Sequence, residues 1–111
     1  MVEVERYDVD KYERAELEYL YVVELEHEKI KEILADIEKL FEKYHNKVSF
    51  IAMIEALQSA LAHVTIDYVS KLKLNHDEKE IVLLVIDYQY RKKLVEYKRF
   101  RKERKQQLGF R

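Results

Sequence analysis

The chain has 111 residues, 39% of them charged, with a formal net charge of −1, no Pro, no Cys and a single Gly at position 109. This length argues for one domain, and the lack of cysteine excludes disulfides, thiolate metal sites and cysteine nucleophiles. Almost nothing breaks a helix, and an apolar class of 48% is mixed in at helical period, so an all-α protein is predicted.

The opening MVEVERYDVD is acidic and lacks the basic-then-apolar pattern of a secretory signal. Residues 1–9 read as a loose arm or a short strand. Asp10, with Glu13 three residues on, forms a capping-box pattern and starts a first helix over about 10–44. Within it, Tyr19-Leu20-Tyr21-Val22-Val23 is apolar all round. Glu24, Glu26, His27 and Glu28 follow within five positions. Glu24 and His27 form a Glu-x-x-His pair, a spacing that can set two metal ligands on one helical face. From Ile30 the pattern narrows to one stripe of Ile30, Ile33, Leu34, Ile37, Leu40, Phe41 and Tyr44.

HNKVS, residues 45–49, is the expected break, with Asn46 or Ser49 as the next N-cap. The second predicted helix covers about 50–72. Phe50, Ile54, Leu57, Leu61, Tyr68, Val69 and Leu72 share one side of it. The other side is small rather than charged, with Ala52, Ala56, Ser59, Ala60 and Ser70 around His63 and Asp67. LNHDEKE then supplies a stop and a start, with Asn75 or Asp77 as cap. A third helix is predicted over about 77–107, ending at Gly109. Its first half, Ile81 to Tyr90, is apolar on nearly all sides, with Asp87 as its only charge.

These helices would be roughly 50, 35 and 45 Å long. Short connections make neighbours antiparallel, so an up-down-up bundle of three long helices is expected, with the first helix starting near the start of the third. Three helices cannot cover so much all-round apolar surface. A homodimer or higher oligomer, its core completed by a second subunit, is therefore expected. In this register Glu24, Glu26, His27, His63, Asp67 and Asp87 could share one slab of the bundle. Glu26, His27, His63, Asp67 and Asp87 are the candidate metal ligands of a minority reading. A di-metal bundle needs two Glu-x-x-His pairs, and this chain has one.

Charge is unevenly placed. Residues 1–28 carry ten acidic and three basic side chains, a net −7, whereas residues 91–111 carry ten basic and two acidic, a net +8. The basic extension 91–111 is the strongest functional signal. Arg91, Lys92, Lys98, Arg99, Arg101, Lys102, Arg104 and Lys105 are candidate nucleic-acid contacts, led by phosphate rather than base recognition, because no helix-turn-helix spacing is present. The competing reading is a protein–protein or adaptor role, in which this extension pairs with the acidic arm of another chain or another acidic protein surface. Glycine-rich phosphate loops, nucleophile elbows and His-Glu-x-x-His are absent. The expectation is thus a binding protein, not an enzyme, without a cofactor. The longest uninterrupted aliphatic run, residues 81–86, is far short of the ~20 residues of a membrane span, so a soluble, cytoplasmic protein without a membrane partner is expected. The Glu, Lys, Tyr and Ile load matches a thermophile's composition.

Overall fold

The computed structural model describes residues 9–107. Within them the chain is all-α and has four helices: α1 (Val9–Leu25), α2 (His27–Tyr44), α3 (Phe50–Lys71) and α4 (His76–Gln107). The expected first helix is divided at Glu26, whose backbone leaves helical values at φ −103° and ψ 21°. The hydrogen-bond ladder continues on either side. Glu26 N–H donates to the Val22 carbonyl and the Glu26 carbonyl accepts from Ile30 N–H, both at 2.9 Å. The junction is therefore a bend rather than a loop.

No Pro or Gly marks this bend, so sequence pattern missed it. A small charge term acts in the direction of the bend. In an unbroken helix Glu24 and Glu28 stand at i and i+4, a like-charge pair costing a few tenths of a kcal/mol. Dividing the helix after Leu25 places Glu26 and Glu28 at the N-terminus of α2, where the helix dipole favours negative charge. Packing makes the same division, because α1 lies along α4 while α2 makes no extensive contact with it.

Two expected caps form. The Ser49 hydroxyl accepts from Ala52 N–H at 3.1 Å and opens α3. The Asn75 side-chain oxygen accepts from Glu78 N–H at 2.9 Å and opens α4 at His76, one residue before the expected start. Asn46 is not a cap but the pivot of the turn between α2 and α3. It takes the left-handed conformation at φ 64°, which Asn tolerates better than most residues. Around it Lys47 N–H donates to the Tyr44 carbonyl at 3.0 Å. Asp10 lies inside the first turn of α1, because Val9 is already helical. Its negative charge there suits the helix N-terminus. Val9, expected in an arm or short strand over 1–9, is helical; the expected helix end at Gly109 and residues 1–8 lie outside the described residues.

The three-helix up-down-up bundle is not what forms. α4 is the hub, carrying α1 on one side and the C-terminal part of α3 on another. Ile81, Val85 and Gln89, at i, i+4 and i+8, make the buried stripe of α4, and Val69 joins them from α3. The half-buried residues of α1, including Tyr12, Ala15, Tyr19 and Val23, recur at the three-to-four spacing of one helix face. The start of α1 lies beside the start of α4, as expected, since Lys11, Arg14 and Glu18 share a groove with Leu74, Glu78 and Val82. α2 contributes no buried residue and has almost no packing with α3. Its polar face carries only local ion pairs, Lys29–Glu32 at 3.4 Å and Lys31–Glu28 at 3.9 Å, both well exposed. Such pairs contribute little to stability.

The result is an open structure. The radius of gyration is 17.1 Å, against about 13 Å for a compact domain of this length. The accessible surface is 10202 Å², against about 6,600 Å² for a compact monomer of the same mass.

Candidate functional site

Two surfaces stand out, one cationic and one apolar. The cationic surface is the second half of α4. From Tyr90 to Arg104 every side chain is exposed. At 100° per residue, Arg91, Lys92, Lys93, Lys98, Arg99, Arg101, Lys102 and Arg104 fall on all sides of the helix rather than along one stripe. Among the described residues, the one ion pair in this stretch is Arg91 Nε donating to Asp87 Oδ2 at 3.1 Å, on the exposed surface. Leu94, Val95, Tyr97 and Phe100 are interleaved and exposed as well, so Tyr97 and Phe100 do not pack against α1. Tyr97, Lys98, Arg101 and Lys102 line a shallow depression of about 500 Å³ on this surface. Seven of the eight candidate phosphate contacts thus stand on one exposed, continuous helix. The side chain of Lys105 lies outside the described residues, as do Phe110 and Arg111.

The apolar surface runs along α3. Where α2 and α3 diverge from their turn, Phe41, Phe50, Met53, Ile54 and Leu57 line an open groove of about 620 Å³. Ile54 and Leu57 also belong to a second groove of about 530 Å³, walled on the far side by Leu83, Ile86 and Tyr90 of α4. Sharing these two residues, the grooves adjoin along α3, and the pair is called the trough. Phe50 is 71% and Ile51 78% exposed, values at odds with a helix that carries only Glu55, Asp67 and Lys71 as charges in 22 residues. α3 is also the one described helix long and apolar enough to cross a membrane, with a mean hydropathy of 1.2 over its most apolar window. Counting only unbroken aliphatic residues had hidden this. The scarcity of Lys and Glu between Phe50 and Lys71 was the legible signal of the trough.

The metal-site candidates are not brought together. Among the described residues no group of three or more His, Asp and Glu side chains could hold a metal ion. The bend at Glu26 puts Glu24 and His27 on different helices, so their spacing no longer defines one face. Glu26 is exposed, His63 and Asp67 lie on the exposed side of α3, and Asp87 turns to Arg91. The expected slab required α2 packed along α3, which does not occur.

One titratable group is perturbed. Burial against α4 is the first cause that pushes the Tyr12 phenol above its ordinary value of 10.0, with the Glu16 carboxylate and Tyr88 adding to it. This stabilises a neutral phenol at the α1–α4 contact and supplies no acid or base near neutral pH. No protein-family model, curated protein or solved structure matches the chain.

Proposed function

We propose that this chain is a homo-oligomeric binding protein, not an enzyme, that contacts nucleic-acid phosphates through the basic extension of α4. The observation carrying this reading is the exposed set of cations from Arg91 to Arg104, distributed around the helix with a single ion pair among them. A helix built to lie on a membrane surface concentrates its apolar residues on one face. Here Leu94, Tyr97 and Phe100 are interrupted by Lys93, Arg101 and Arg104. Charge on every side instead suits a polyanion that surrounds or tracks the helix, and binding led by phosphates rather than base edges.

The test is anisotropy with a labelled 30-nucleotide strand and its duplex at 50 and 200 mM salt. The full chain is compared with one ending at Tyr97, which leaves the buried stripe of α4 intact. If six cations engage, affinity should fall about 1,000-fold between the two salt concentrations. Truncation should weaken binding about 100-fold or more at 50 mM. Absence of binding at 50 mM, or binding unchanged by the truncation, overturns the reading.

A second reading rests on the charge split of −7 for residues 1–28 against +8 for residues 91–111. In it the basic extension clamps onto the acidic first helix of another copy. The truncation separates the two, because a clamp predicts that the shortened chain loses its oligomer while a phosphate-binding extension predicts that it keeps it.

A further inference from the structure

We infer that the trough between α2, α3 and α4 is filled by the α2–α3 hairpin of a second copy of this chain, so that two splayed hairpins interlock into a four-helix core. This deepens the homo-oligomeric part of the proposed function and does not depend on phosphate binding.

The chain as a whole, basic extension included, has surface to spare for a subunit interface. The chain exposes about 3,600 Å² more than a compact monomer of its mass would. Obligate homodimers bury about 2,000–5,000 Å² in total, so such an interface falls within the excess. The hairpin also presents two unfilled apolar faces at once. Ile33 and Leu40 on α2, and Ile54 and Leu61 on α3, are all exposed, and the first pair belongs to a stripe that its own chain covers only in part, at Ile37 and Phe41.

The chain's own α2 is held away from this face. Between them stands a built turn, with Asn46 at φ 64°, Lys47 N–H on the Tyr44 carbonyl at 3.0 Å and the Ser49 cap on Ala52 N–H at 3.1 Å. These local bonds define the turn from which α2 and α3 diverge, and docking a second hairpin leaves them in place.

Charge assigns each helix its position. α2 alternates acids and bases on its outer face, as a peripheral helix does, and α3 has three charged residues in 22, as a central one does. Both helices are long enough for a bundle, at about 27 and 33 Å. In this assembly α1 packs outside the core on α4 and leaves both basic extensions free. That gives the dimer two polyanion-binding arms.

The experiment uses the full chain without nucleic acid. Light scattering after size exclusion should give twice the 13.6 kDa chain mass at 10 µM. Ile33→Glu and Leu61→Lys should each weaken dimerisation about 100-fold, because each places an unpaired charge in the four-helix core. Neither touches the buried stripe of α4, so circular dichroism of each variant should retain its helical signal. Val95→Lys, on the exposed extension, should leave the dimer unchanged. A wild-type monomer at 100 µM overturns the inference, as does a dimer indifferent to both hairpin variants. Flotation of the wild-type chain with phosphatidylcholine–phosphatidylglycerol vesicles that is abolished by Leu61→Lys also overturns it, since lipid would then be the occupant. Loss of polyanion binding in Lys98→Ala/Arg101→Ala with the dimer intact leaves this inference standing. Failure of the interface and failure of the phosphate reading are therefore told apart.

Discussion

Val85→Ala is the sharpest test of where the core lies. Val85 is 1% exposed and is the only side chain among the described residues with less than 2% of its surface in contact with solvent. It sits one turn from Ile81 on the α4 stripe. Removing its two extra methyl groups forfeits about 1.6 kcal/mol of transfer free energy at about 0.8 kcal/mol per methylene. The space left adds roughly 1 kcal/mol if the helices cannot collapse into it. A loss of about 2.5 kcal/mol should lower Tm by about 10–20 °C for a chain of this size. The assay is thermal unfolding by circular dichroism at one fixed protein concentration, because subunit association makes Tm concentration-dependent. Ile51→Ala is the matched control, since Ile51 is 78% exposed and lies away from the buried stripe. If Val85→Ala moves Tm by under 3 °C, the reasoning that makes α4 the hub is wrong.

The remaining predictions concern local features. Ser49→Ala removes the acceptor for Ala52 N–H and should cost about 1 kcal/mol in urea unfolding, while Ser49→Asp should restore most of it. Asn46→Val forces a β-branched residue into φ 64° and should cost about 1–2 kcal/mol, with Asn46→Gly near neutral. Gln89 is a buried amide in line with Ile81 and Val85, so Gln89→Leu should raise Tm by a few degrees through added apolar burial. Tyr12 has its pKa raised in the folded state by burial, Glu16 and Tyr88. Its stabilising contribution is thus complete below the ordinary value of 10.0 and is lost as pH rises through the higher folded value. Unfolding midpoints measured from pH 8 to 11 should fall less steeply in Tyr12→Phe than in the parent chain, and superimposable profiles would count against the assignment.

Much of the local structure was legible because it depends on chemistry a few residues apart. Ser49 and Asn75 cap helices since their short side chains reach N–H groups three residues on. The basic extension was legible for the same reason, because charge without apolar periodicity has no face to bury. Long-range arrangement was not. A stripe such as Ile30, Ile33 and Ile37 states that something must cover it, not which helix does so. Assigning α3 as that cover produced the three-helix bundle and, with it, the slab that gathered Glu26, His27, His63, Asp67 and Asp87. Once α2 stands away from α3, those five residues no longer form one group that could hold a metal ion. The bend at Glu26 was illegible for another reason: neither Pro, Gly nor a loop-like composition marks it, and it falls where the packing on either side differs.

The character of α3 decides between water, lipid and protein as its neighbour. Water is disfavoured by the exposed Phe50, Ile51, Ile54 and Leu61. Lipid would accept these residues, but a span centred on the helix would hold Glu55 and Asp67 within about 10 Å of the bilayer midplane. Each acid near the centre of a span costs roughly 3 kcal/mol, and Gln58 and His63 add to the penalty. Burial of Val69 against α4 would also have to be given up, or the strongly charged α4 drawn into the bilayer with it. A protein neighbour asks for neither. Glu55 and Asp67 lie about 120° apart on the helix and can both reach the rim of an interface centred on Ile54, Leu57 and Leu61. The surface of α3 therefore fits another apolar helix with a wet rim better than it fits hydrocarbon on all sides.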